Sequence, residues 1–143
     1  MRQGTYALNA TIHGSANAAA TWTNMPAADT FLFGSHRHVM TIDLSGLTEV
    51  RLKVNKQATA GAAGSKLILR FAQTFSTSVA NYADIGVTEV SVPIDTTNTV
   101  LESGWIDING DVLPNDDVFL AVIGSGGNGT LDPQFGTISA SFH

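Results

Sequence analysis

An antiparallel β-sandwich is the fold class this sequence predicts, and three features carry the prediction. Apolar and polar residues alternate with a period of two in one short segment after another. Clusters of Gly, Asn, Asp, Ser and Pro separate those segments at turn-like intervals. No stretch holds the 3.6-residue periodicity of an amphipathic helix. A strand with one oily face needs a second layer to cover it, so the segments belong in two sheets pressed together.

The organising stretch is residues 47–73, which reads LTEVRLKVNKQ, then ATAGAAG, then SKLILRFAQ. Val50, Leu52 and Val54 share one face of its first segment, with Glu49, Arg51 and Lys53 on the other. Leu67, Leu69 and Phe71 share one face of its second segment, with Lys66, Ile68 and Arg70 opposite. The two segments read as an antiparallel strand pair joined by a flexible loop longer than a two-residue turn. Gly61 and Gly64 give that loop positions able to take positive φ.

Upstream, Tyr6, Leu8, Ala10 and Ile12 alternate with smaller residues, and GSANAAA follows. Residues 1–20 are therefore expected to form an N-terminal arm or edge strand, and residues 21–143 a single sandwich domain. Thr21, Trp22 and Thr23 make a short β-prone run that stops before Pro26. Residues 31–33 and 36–44 are the next two strands, the second with His38, Met40, Ile42 and Leu44 on one face.

Downstream, residues 74–89 are irregular, with Phe75, Val79, Tyr82 and Ile85 spaced to cover an edge of the sandwich. The Thr and Ser content there argues against a helix. Val90, Val92 and Ile94 form a short strand whose outward Pro93 marks an edge. Residues 100–108 form a late strand containing Trp105, Ile106 and Ile108. Residues 118–123 are apolar almost throughout and read as a strand buried on both faces. Residues 135–142 are the last strand. The expected total is about nine or ten short strands, at the spacing all-β sandwiches show.

The chain's 143 residues suit one domain. It has no cysteine, so neither a disulfide framework nor a cysteine zinc site can form. Only 13% of residues are charged and the net charge is −5. The seven basic residues are scattered, which disfavours a phosphate-tracking groove and hence a nucleic-acid partner. No apolar run reaches membrane-spanning length, so no membrane partner is expected. The N-terminal segment is polar and interrupted, a poor match to a signal peptide.

Several clusters invite a chemical reading. The glycine-rich loop at 124–129 lacks the Lys and Ser or Thr of a P-loop, and no helix follows it, so it reads as a plain loop. Asp107, Asn109 and Asp111, with Asp116 and Asp117 nearby, supply the hard oxygens calcium prefers, at the spacing that opens a calcium loop. The glycine falls at Gly110 instead of the sixth position and no glutamate stands at the twelfth, so ordinary turn chemistry accounts for these residues. His36 and His38 share a strand face around Arg37, but His13 and His143 are distant in sequence and two ligands do not complete a zinc site. No serine sits in G-x-S-x-G, and the adjacent Asp116 and Asp117 do not flank a substrate. The expectation is a chain with no catalytic, cofactor-binding or metal-ligating residues. Trp22, Trp105, Tyr6 and Tyr82 are the residues from which a sugar-stacking platform would be built.

Four phrases carry a resemblance: TWTNMPAA at 21–28, DLSGLTEVRLKVNKQATAGAAGSKLILRFA at 43–72, VPIDTTN at 92–98 with Gly104 and Trp105 after it, and DVFLAVIGSGGNGTLDPQFGTISASF at 117–142. Together they resemble small β-sandwich proteins encoded in tailed bacteriophages and prophages. The likeness spans roughly residues 20–142 and attaches no functional residue set. It implies a jelly-roll-like virion structural protein, assembled in the host bacterial cytoplasm. The role it points to is a head decoration or cement protein, self-associating on the major capsid protein lattice. The alternative, from another class, is a carbohydrate-binding module on a tail or fibre.

Overall fold

The computed structural model describes residues 4–8, 30–33, 40–110, 117–126 and 135–143, with side chains at 41–110, 117–126 and 138–143. It is an antiparallel β-sandwich. The strands in chain order are β1 (Gly4–Leu8), β2 (Thr30–Phe33), β3 (Met40–Asp43), β4 (Glu49–Lys56), β5 (Lys66–Ala72), β6 (Ala83–Asp84), β7 (Val90–Pro93), β8 (Val100–Glu102), β9 (Ile106–Asp107), β10 (Asp117–Ser125) and β11 (Phe135–Phe142). The one helical piece among the described residues is the 3₁₀ turn Val79–Asn81.

One sheet runs β1-β11-β4-β8, with β9 also on β4; the other runs β2-β10-β5-β6, with β3 also on β10 and β7 also on β5. Three edge positions are thus each filled by two short strands in succession, so the eleven strands among the described residues occupy eight positions, four per sheet. Strands remote in sequence lie side by side. The first pairs with the last from Gly4↔Phe142 to Leu8↔Ile138. β10 pairs with β5 from Phe119↔Ala72 to Ser125↔Lys66.

The core lies between the sheets and follows the period-two register. Val50, Leu52 and Val54 of β4 stand in register with Phe142, Ala140 and Ile138 of β11, and all six are buried. Across from them lie Leu67 and Leu69 of β5, Val90 and Val92 of β7, and Val118, Leu120 and Val122 of β10, in the same cluster. Pro93 is exposed at the β7 edge, where its missing N–H costs no ladder bond.

The reading of residues 47–73 as a laterally paired hairpin is overturned. β4 and β5 lie in different sheets, and the nine residues 57–65 carry the chain across the core. The alternation misleads here for a physical reason. Two strands that face each other across a core need the same oily stripe as two strands that pair edge to edge, so the pattern alone does not separate the cases.

The crossing is pinned by backbone bonds from Gly61 N to Ile94 O at 2.7 Å and from Ile94 N to Ser65 O at 3.0 Å. Gly64 takes the expected positive φ of 79°. Gly61 is needed for crowding instead, since a Cβ there would sit 2.7 Å from Ile94 O.

Two further expectations are corrected. Residues 100–108 form two strands instead of one, because Ser103 and Gly104 interrupt the ladder. Ile68, expected on a polar face with Lys66 and Arg70, is 1% exposed. It belongs to an apolar outer surface on the six-stranded sheet, beside its register partner Ile123. Ala72, Ala121 and Ile123 cluster there with Tyr82, and Val79 and Phe119 pack against them. Phe75, expected to help cover the sandwich, meets Phe119 edge-on at 6.0 Å but stays 49% exposed.

Candidate functional site

The most distinctive surface group sits on the outer face of the five-stranded sheet. It arises from the interruption between β8 and β9. Ser103 takes over pairing with β4 through its N–H to Leu52 O and its Oγ, which accepts from Leu52 N, both at 2.9 Å. Gly104 then turns the chain with φ 76°, a conformation that penalises a Cβ. Trp105 follows, and β9 resumes the ladder with Ile106 opposite Val50.

Trp105 is 41% exposed, unusual for a residue this large and apolar, yet it is braced. The Arg51 guanidinium lies over the indole at 4.6 Å from the ring centroid, a cation–π contact. The His143 imidazole stands nearly perpendicular to it at 85°, with centroids 4.1 Å apart. His143 is fixed in turn by its carbonyl, which accepts from the N–H groups of Thr48 and Glu49 at 2.8 and 2.9 Å. Its Nε2 meets Glu49 Oε1 at 3.2 Å. Arg51 reaches Glu102 at 3.8 Å, a loose ion pair, and its buried Nε finds no hydrogen-bond partner among the described residues. A guanidinium held by an aromatic face gives up hydrogen-bond geometry to keep that contact.

Glu49 and Glu102 are thus tied to His143 and Arg51, the two side chains that brace the indole, and the exposed Asp107 is the register partner of Glu49. The indole plane offers contact area at low entropic cost, and the carboxylates accept hydrogen bonds.

A second feature was missed in the sequence. Lys56 continues the inward series Val50, Leu52, Val54 and is only 5% exposed. Its ammonium donates to the carbonyls of Gln57 at 3.0 Å, Thr59 at 2.8 Å and Thr96 at 2.7 Å. Burial lowers its pKa. The signal was present in the register, which puts position 56 on the oily side. A lysine there has to be satisfied internally, and three carbonyls satisfy all three of its protons. This ties the crossing segment 57–65 to the loop after β7.

On the opposite sheet, Lys66 bonds Glu89 at 2.7 Å. Desolvation acts to raise the Glu89 pKa, but hydrogen bonds from Lys66 and Ser91 and the charges of Lys66 and Arg70 outweigh it and lower it.

The other sequence candidates separate. Tyr82 is buried on the outer face of the six-stranded sheet and donates to Ser76 O at 3.0 Å, so Tyr82 and Trp105 form no common platform. Trp22, His13, His36, Arg37 and His38 lie outside the described residues, as does the Tyr6 side chain. Asp107 and Asp117 are exposed and Asn109 is half-buried, while Asp111 and Asp116 lie outside the described residues. Among the described residues no three His, Asp or Glu side chains converge on a metal-sized point. Gly124 is buried at the end of β10, and 127–129 lie outside the described residues.

Comparison with known proteins adds nothing to this geometry: no family model, no curated protein and no solved structure matches the chain.

Proposed function

We propose that this chain is a non-enzymatic structural protein of a tailed-phage particle, seated on the major capsid protein lattice as a decoration or cement protein and self-associating there. The observation that supports this reading is the strand order. The order β1-β11-β4-β8 facing β2-β10-β5-β6, with eight strand positions among the described residues, supports a jelly-roll reading of the sandwich, an architecture used by viral capsid domains. The Trp105 group supplies the kind of anchor a docking face needs, since Trp and Arg are the residues that concentrate binding energy at protein interfaces. Many copies on one shell gain from avidity, so each contact is free to be modest.

The test is particle-based. Heads assembled without the protein are expected to lose surface density and mechanical stability, and added protein to restore both. Trp105→Ala is expected to weaken restoration roughly 30-fold, the scale of an interface hot spot. Heads unchanged in surface and stability without the protein would refute the head role.

A second reading is favoured by one observation, the exposed indole braced by Arg51 and His143, which are themselves paired with Glu102 and Glu49. An apolar plane beside hydrogen-bond acceptors suits the ring face and hydroxyls of a neutral saccharide, as on a tail or fibre module. Saturable glycan binding abolished by Trp105→Ala, with no binding to heads, would select it.

A further inference from the structure

The edge strands of a sandwich are open to pairing, and folded chains blunt them. On the side built by β6 to β9, three edges are blunted and one is not. In an antiparallel ladder the residues that exchange both backbone bonds recur at every second position, and those between turn their N–H and C=O groups away. β7 lies on β5, and Ile94 N donates to Ser65 O at 3.0 Å, so Val90 and Val92 bond toward β5 while Ser91 and Pro93 face away. Pro93 has no N–H to offer at that edge. β9 lies on β4, and Ile108 N donates to Thr48 O at 2.8 Å, so Asp107 faces away. The Asp107 carbonyl is taken by Val87 N at 2.8 Å, beside the Gly86↔Ile108 bridge. β6 is only two residues long and runs into the same bridge. β8 has none of these devices. The bonds from Lys56 N to Thr99 O and from Ser103 N to Leu52 O, both 2.9 Å, fix its phase, so Leu101 bonds toward Val54. Val100 and Glu102 turn their backbone groups away from β4, and no hydrogen bond among the described residues reaches those groups. Both side chains are exposed, Val100 at 58%.

We propose that β8 pairs with β8 of a second copy, antiparallel about a two-fold axis at Leu101, so that the five-stranded sheets of two copies join edge to edge. The edge fits itself. Val100 of one copy stands opposite Glu102 of the other, and each such pair exchanges both of its backbone bonds. The same patch serves both partners, as a two-fold interface requires. On the outer face the row across the joint reads Lys53 and Glu102 of one copy, then Val100 and Asn55 of the second. Glu102 therefore has a lysine on one side and an apolar side chain on the other, and no like charges stand opposite each other. The neighbouring axes fit less well. An axis at Glu102 would set two carboxylates face to face. An axis at Val100 would pair Glu102 with Asn98, whose N–H is turned to Thr96 Oγ1 at 3.4 Å. The inference deepens the self-association proposed above and rests on that part of the reading alone. It is tested on the purified chain without particles, so failure of the dimer and failure of the head role are separate results.

Light scattering of the full chain over a concentration series is expected to show a dimer. Glu102→Pro removes an N–H that the chain's own ladder does not use, so it is expected to leave the circular dichroism unchanged and weaken the dimer roughly 10-fold or more. The register is read by cysteine, which the chain otherwise lacks. V100C and E102C, prepared separately, mixed and oxidised, are expected to cross-link to each other, because partners about 5.5 Å apart lie within disulfide range. Either variant oxidised alone is expected to run mostly as single chains on a non-reducing denaturing gel. This second experiment stands even if Glu102→Pro fails to fold. A wild-type chain that stays single up to about 1 mM would overturn the proposal. So would a dimer that a folded Glu102→Pro variant leaves intact, or a V100C and E102C mixture that cross-links no better than either variant alone.

Discussion

The outward residues of the six-stranded sheet include Ile68 and Ala72 on β5 beside Ala121 and Ile123 on β10, and the segment carrying Val79 and Tyr82 lies over them. The outward residues of the five-stranded sheet are Glu49, Arg51 and Lys53 on β4 beside Ser139 and Ser141 on β11, with Trp105 leaning across. Both faces obey the same period of two. They differ because the chain after β5 folds back over its own sheet, whereas nothing among the described residues roofs the other. The covered face adds a second buried apolar layer, and the bare face leaves an indole at the surface. Their ion pairs follow suit. Lys66–Glu89 at 2.7 Å and Arg70–Asp84 at 3.2 Å frame the apolar patch, whereas Arg51 meets Glu102 only at 3.8 Å.

The sharpest way to break this contrast is to truncate one residue on each face. Ile123→Ala is expected to cost about 2–4 kcal/mol in denaturant unfolding, because it empties a site with 0% exposure. Arg51→Ala, on the bare face, is expected to stay within about 1 kcal/mol while freeing the indole. Equal costs would mean that the two faces share one role.

Lys56→Met comes next, at about 1–3 kcal/mol, since the stem stays packed while three carbonyls lose their donor. Here the sign with pH is specific. A pKa lowered by burial means the folded chain holds fewer protons than the unfolded one between the lowered value and 10.5. Wild type therefore gains on Lys56→Met as pH rises through that window, and a gap that shrinks there would show that the ammonium is not desolvated.

The smallest effect belongs to the rim of the covered face. Glu89→Gln is expected to cost at most about 1 kcal/mol at neutral pH. The Glu89 carboxylate contributes above its ordinary value of 4.5 and loses that contribution as pH falls through its lowered folded value. The variant and wild type should then converge in acid melts, and a difference that persists would point to shape instead of charge.

The contrast also explains what the sequence discloses. The unbroken run at 118–123 announces a strand covered on both sides, and β10 is buried on both. The alternation of Ile138, Ala140 and Phe142 with Ser139 and Ser141 announces one covered side, although Ser141 is itself buried. Ile68 carried a legible signal too, an oily residue between Lys66 and Arg70 on the side assigned to water. Strand partnership was not legible, because β4 and β5 show the same stripe whether they pair or face each other. Nor was the setting of Trp105, which depends on a break at Gly104 and on His143, 38 residues further along the chain.

The stacking of His143 on Trp105 has a practical corollary for anyone labelling the protein. A peptide or fluorophore appended after residue 143 would grow out beside the indole and crowd the surface on which the proposed docking depends. Appended ahead of β1, the same cargo would leave from the opposite edge of the sheet, three strand spacings or about 14 Å from β8. Affinity purification and surface display should therefore use the front of the chain, and if the proposed docking holds, a C-terminal handle should weaken it.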